Sequence, residues 1–279
     1  MKRILVLCFL AALSTACYAD NFIYGNNATG GSPYIFKIDK TSGAIVQTYT
    51  GLSGNNGRGV VVVGTTMYYT AAYNSSIYSY NLATSTDNGS VFTVPGATGL
   101  STIAYDGTNF YVGDYSGTNQ VYKYTTTGAY IATLNLANCT GHCDGLEYFQ
   151  QGGIGYLIEN RDDGGYIYDV YNLDGSLKTA AFITSSGSST GIAFDGTTFF
   201  TSNLYSPGLN EFDTSGTFIK TLNITGAPSG FSFLVEDLSA DYATVLPPPS
   251  GATPEPSSLV LLGTGALGMI GAFRRKLKA

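Results

Sequence analysis

The only histidine of this 279-residue chain stands between two cysteines, in the stretch Asn138-Cys139-Thr140-Gly141-His142-Cys143-Asp144-Gly145. Thiols at this spacing can do two kinds of chemistry. In an oxidising compartment Cys139 and Cys143 are expected to pair as a disulfide, the simplest reading. With His142 they would instead offer a metal two thiolates and an imidazole, and a further ligand must then come from elsewhere in the fold. The order CxxxC also departs from the CxxCH of covalent haem attachment. Carboxylates are the next candidates. Asp114, Glu159 and the Asp162-Asp163 pair each follow a strand-like run, at loop positions where sites often sit. A glycosidase would need two of them at a fixed separation, whereas acids this frequent are ordinarily solvated turn residues. Asp162 and Asp163 offer hard oxygens to calcium, but their spacing matches no EF-hand-type loop. No Walker loop and no GxGxxG opening a helix is present, so no cofactor is expected and no catalytic residue or metal site is assigned.

The elements that must position these residues are strands. Val60-Val61-Val62, Phe110-Tyr111-Val112 and Ile167-Tyr168-Asp169-Val170-Tyr171 alternate or run apolar between turns rich in Gly, Ser, Thr and Asn. No window holds a convincing helical period. One strand recurs as FIYG, MYYT, FYVG, YLIE and FFTS from residues 22, 67, 110, 156 and 199, at spacings of 45, 43, 46 and 43. A second follows about ten residues later each time (YIFKID, SIYSYN, QVYKYT, YIYDVY, LNEFD), and a third follows Gly43, Gly89, Gly128, Gly175 and Gly216. A repeat of this length holding four strands predicts an all-β chain, a β-propeller of about five four-stranded blades. The first repeat lacks its leading strand, and Phe231 to Val235 is expected to complete it, closing the ring by joining the two ends and removing exposed sheet edges. Asp106-Gly107 and Asp195-Gly196 read as hairpin turns and so as scaffold. A two-sheet sandwich is the alternative fold. By repeat length and strand pattern alone the core resembles NHL-like secreted propellers, and no motif carries a site across.

The two ends predict export. Residues 1–19 carry Lys2 and Arg3, an apolar run from Ile4 to Leu13 and the small-x-small Cys17-Tyr18-Ala19, a signal peptide that would take Cys8 and Cys17 with it. The propeller is expected over residues 20–246 and a proline-rich stalk over 247–256. An apolar transmembrane helix is expected over 257–273 and a basic cytoplasmic tail over 274–279. Its fifteen residues from Leu259 to Phe273 reach about 22 Å as helix, short of a hydrocarbon core of about 30 Å. Arg274, Arg275, Lys276 and Lys278 place that end inside and the bulk of the chain outside. The core keeps 7 of the chain's 13 Lys and Arg but 18 of its 19 acids, a charge that repels phosphate backbones and argues against nucleic acid as partner.

Pro254-Glu255-Pro256, a short apolar helix and an Arg-rich terminus, in that order, resemble the PEP-CTERM sorting signal of Gram-negative bacteria. The resemblance implies recognition by a membrane-embedded exosortase, removal of the helix near the motif, and delivery to the cell surface or its polysaccharide matrix. Pro254, Glu255 and Pro256 are then recognition residues. For the core, frequent Tyr with Ser, Thr and Asn suits sugars, so a structural or polysaccharide-binding role is expected. A secreted carbohydrate-active enzyme on the same scaffold is the alternative.

Overall fold

The computed structural model describes residues 21–28, 31, 33–115, 119–139, 142–161, 166–228 and 235–245. The chain divides at Leu246/Pro247, and the described residues all belong to the first unit. The signal peptide, Asp162, Asp163, Pro254, Glu255, Pro256 and the basic tail lie outside them. Among the described residues no helix is long and apolar enough to cross a membrane, and the expected span falls outside that set.

Five four-stranded antiparallel sheets make up the domain. Strands β1 (Phe22–Asn27), β2 (Tyr34–Asp39) and β3 (Ile45–Tyr49) begin one blade. The next is β4 (Gly57–Val63), β5 (Thr66–Ala71), β6 (Ser76–Asn81) and β7 (Thr86–Thr93), followed by β8 (Leu100–Tyr105), β9 (Asn109–Asp114), β10 (Gln120–Thr125) and β11 (Tyr130–Asn135). The third full blade is β12 (Leu146–Gln151), β13 (Ile154–Asn160), β14 (Ile167–Asn172) and β15 (Leu177–Thr184). The fourth is β16 (Ile192–Phe194), β17 (Phe199–Thr201), β18 (Gly208–Phe212) and β19 (Phe218–Asn223). Strand β20 (Val235–Ser239) then pairs antiparallel with β1, Asn26 opposite Asp237, and gives the first blade its missing strand. The predicted five-bladed ring and its closure are thus observed. Of the expected closing segment, residues 231–234 lie outside the described residues; the strand described is Val235–Ser239, whose Glu236 pairs with Arg58 and whose Asp237 accepts from Thr102.

Burial falls from the axis outward. The inner strands β8, β16 and β20 are almost wholly buried, whereas β15 and β19 on the outside are mostly exposed. The apolar core lies in wedges between neighbouring blades, where Phe149 meets Phe199 edge-on at 5.1 Å and Tyr49 meets Tyr80 at 5.6 Å. Short α1 (Tyr242–Val245) buries Tyr242 against the β8 and β12 side of this core.

Turn chemistry sets the register. In the hairpins after β10, β14 and β18, the N–H of Gly128, Gly175 and Gly216 returns to the carbonyl three residues back at 3.0 Å. Each glycine has positive φ, +87°, +88° and +80°, and the ladder slips by one residue beside it. A turn followed by a left-handed glycine and a bulge matches the right-handed twist of the strands it joins. At the axis the constraint is space: a Cβ on Gly191 would stand 2.3 Å from Asp237 Cα on the adjoining inner strand.

Candidate functional site

Every inner strand starts, and every second strand ends, on one face of the ring, as the pairings Leu100–Asp114, Leu146–Glu159 and Asn27–Val235 require. The loops joining second to third strands therefore share this face. Four of them bring a tyrosine: Tyr73 after β5, Tyr115 after β9, Tyr166 before β14 and Tyr205 after β17. Tyr73 is 86% exposed, Tyr205 76% and Tyr115 39%, so these rings are not core residues. Tyr73 and Tyr166 also hold φ of 57° and 53°, a left-handed conformation that costs a bulky residue about 1–2 kcal/mol.

Between the rings lies a depression of about 380 Å³ bordered by Arg58, Tyr115, Asp144, Asn160, Thr190 and Glu236. A second of about 250 Å³, beside Tyr73 and Gly99, shares Arg58 and Tyr115 with it. Arg58, at the start of β4, pairs with the buried Glu236 of β20 across the ring closure, and its guanidinium lies 5.8 Å from the Tyr115 ring. Asn160 Nδ2 donates to the Ser189 carbonyl at 2.9 Å, and Thr190 Oγ1 donates to the Glu236 carbonyl at 2.7 Å. The site joins aromatic faces to a charged pair and neutral donors and acceptors, a combination suited to a polyhydroxylated ligand.

Below this face the axis is acidic. Glu147 accepts from the Tyr242 hydroxyl and, at 3.1 Å, from its neighbour's N–H. Asp237 Oδ2 accepts from Thr102 Oγ1 at 3.0 Å and from the Val60 N–H at 3.4 Å, while Oδ1 is left without a hydrogen-bond partner among the described residues. Burial pushes both carboxyls well above their usual range, against the pull of these donors.

The predicted site residues divide. The Sγ atoms of Cys139 and Cys143, the pair expected to bond, are both buried and stand 3.5 Å apart. The imidazole expected beside them is turned away: His142 stacks on Tyr115 at 4.1 Å, its Nδ1 2.5 Å from the Tyr115 carbonyl. Glu159 occupies the place beside the sulfurs instead. Burial first, then the Cys139 thiol, push its carboxyl up, and the contact with Cys139, then burial, push up the Cys143 thiol. Asp114 is buried and accepts the Thr98 N–H at 3.0 Å. Asp106 and Asp195 are turn acids, each accepting N–H groups two and three residues on, and Asp195 also binds Lys40 at 2.6 Å. Burial raises both carboxyls, yet these donors outweigh it and hold them low.

The four loop tyrosines were not singled out from the sequence. Their signal was present, since AAY, GDY and SNLY close the recurring MYYT, FYVG and FFTS strand at Tyr73, Tyr115 and Tyr205. The ring geometry alone turns that recurrence into one surface.

The fold and the terminus define a class: an exported five-bladed propeller bearing a sorting signal. Residues 252–276 match the PEP-CTERM protein-sorting motif, a signal recognised by exosortase, a membrane protease. The chain is thereby marked for export, with transient membrane anchoring before processing. No curated protein matches the chain. Among solved structures it is similar to a chain in "Crystal structure of Nidogen/Laminin Complex", with TM-score 0.55 and 10% identity, covering 79% of this chain and 99% of that one. That likeness shows the fold alone. It is also similar to the glutaminyl cyclase of Myxococcus xanthus, with TM-score 0.47 and 15% identity over 72% of this chain and 76% of that one.

Proposed function

We propose that this protein is a surface- or matrix-associated binding protein whose tyrosine-lined face takes an extracellular polysaccharide. The observation that carries the reading is the set Tyr73, Tyr115, Tyr166 and Tyr205, one from the equivalent loop of four successive blades, along two adjoining depressions that share Arg58 and Tyr115. Sugar rings stack their C–H faces on aromatic rings, while their hydroxyls need directional partners such as Arg58, Glu236 and Asn160. Two of the tyrosines are held in a costly backbone conformation, which supports selection for the face rather than for the fold.

Affinity electrophoresis of the full chain in gels containing the host's own exopolysaccharide tests this. Tyr73→Ala and Tyr205→Ala should each weaken binding about tenfold, the usual loss for an aromatic anchor. Retention of wild-type mobility shift by the double variant would overturn the reading. The intact mass of protein recovered from the host surface and medium tests its location. Loss of residues 1–19 and of everything beyond about Pro256 is expected, and a full-length C-terminus in the inner membrane argues for an ordinary anchor.

A second reading, a secreted glycosidase or lyase, draws on the two carboxyls of Asp144 and Glu236 that border the same depression. Release of sugar ends from the polysaccharide by the wild type, abolished in Asp144→Asn, would replace binding by turnover.

A further inference from the structure

The segment joining β11 to β12 and the end of β13 bring three ligand atoms together. The sulfurs of Cys139 and Cys143 and a carboxylate oxygen of Glu159 lie within 4.8 Å of one another, and all three residues are buried. At 3.5 Å the two sulfurs are close to the separation of about 3.8 Å that tetrahedral bonds of about 2.3 Å to zinc would impose. They are far from the spacing of a disulfide.

Glu159 provides a second, independent observation. It is fully buried, and among the described residues no nitrogen or hydroxyl donor reaches its carboxylate oxygens, which meet only the weak Cys139 thiol. Asp169, opposite it on β14, shows what a satisfied acid looks like here. It accepts from Asn138 Nδ2 at 2.5 Å and from the Ala181 N–H at 2.6 Å, with Arg161 Nε at 3.7 Å. The local donors have gone to Asp169, and Glu159 faces sulfur. Leaving a buried carboxylate without donors is costly. A disulfide would occupy the sulfurs, leave Glu159 unchanged, and close a loop too short to restrict the unfolded chain strongly. A divalent cation would satisfy all three groups at once.

We propose that Cys139, Cys143 and Glu159 form a binding site for a borderline-soft divalent cation of the zinc type, reached by a contraction of about one ångström. The ion ties the Cys139–Cys143 segment to β13. His142 takes no part, since it is committed to Tyr115.

Cobalt(II) is the probe, added to the full-length chain kept reduced. One Co²⁺ per chain is expected, with a near-ultraviolet sulfur-to-metal band and intense visible bands, displaced by Zn²⁺. Glu159→Gln should keep the sulfur band and weaken Co²⁺ binding on the order of 10- to 100-fold. Cys143→Ser should diminish the band, and His142→Ala should leave spectrum and affinity unchanged. The wild-type spectrum does not depend on any variant folding. Failure of the reduced wild type to bind Co²⁺ in stoichiometric amount would overturn the proposal. So would Co²⁺ affinity untouched by Glu159→Gln. Chain recovered from its exporting host without metal, its two thiols closed to alkylation, would also overturn it and restore the disulfide.

Discussion

Acids at the rim of the propeller and acids at its axis solve the same problem in opposite ways. Asp39, Asp174 and Asp213 sit in exposed hairpin turns, each accepting hydrogen bonds from N–H and hydroxyl groups two to four residues on. Those bonds, the Ser42, Ser176 and Ser215 donors first, hold all three carboxyls below their usual range. Glu147 and Asp237 have a thinner local supply, Glu147 accepting its neighbour's N–H at 3.1 Å. They depend on donors from across the ring, Tyr242 from 95 residues away and Thr102 from 135. The turn bonds of these rim acids form once five residues have folded, whereas the axial acids gain Tyr242 and Thr102 only when the ring closes. The rim is therefore local chemistry repeated, and the axis is the part of the molecule that depends on every blade.

The largest effect should come from crowding the axis. Gly191→Val puts carbon atoms where Asp237 Cα and the Glu236 carbonyl already stand, at 2.3 and 2.6 Å from the first added atom. We expect a loss of about 3 kcal/mol or failure to fold. At the rim, Gly89 has nothing within 4 Å of an added Cβ and only its φ of +76° to satisfy. Gly89→Ala should cost about 0.5–1 kcal/mol, the left-handed penalty less the unfolded-state entropy that alanine saves. Urea denaturation of both variants breaks the comparison if their midpoints fall equally.

The pH dependence of stability should separate the regions next. For Glu147 and Asp237 the folded state holds the proton more tightly than the unfolded chain does. Their contribution is fully present below the unfolded carboxylate range near pH 4 and is lost as pH rises through the raised folded values. Asp39, Asp174 and Asp213 slope the other way, contributing above the unfolded value and losing it as pH falls through their lowered ones. Glu147→Gln with Asp237→Asn should flatten the decline of the melting temperature towards alkaline pH. Asp39→Asn should flatten only the acid limb, lowering stability above about pH 4 and changing it little at the acid end. An alkaline limb unchanged in the double variant would mean that other groups carry the decline.

The rim was legible in the sequence because its rules span a few residues. Asp106-Gly107, Asp195-Gly196 and the recurring Gly43, Gly128, Gly175 and Gly216 announce turns, and their spacing announces blades. Ring closure was legible as a missing strand, and the described strand Val235–Ser239 supplies it by pairing with β1. The site was legible only in pieces. His142 stood nearest the cysteines in sequence, yet Glu159 stands beside them in space, because β12 and β13 pair Leu146 with Glu159. Adjacency along the chain misleads wherever a cross-strand pair brings in the third group.

The smallest effect is the most informative about the tyrosine face. Tyr73 is 86% exposed and has φ of 57°, so its ring stabilises little while its backbone costs about 1–2 kcal/mol. Glycine removes the backbone cost and adds an unfolded-state entropy cost of about 0.5–1 kcal/mol. Tyr73→Gly should therefore raise stability by about 0.5–1 kcal/mol, read as a higher urea midpoint, and should also weaken polysaccharide binding about tenfold. Opposite signs for stability and binding are the signature of a residue kept at the fold's expense. If Tyr73→Gly lowers stability and leaves binding intact, Tyr73 belongs with the scaffold of the rim.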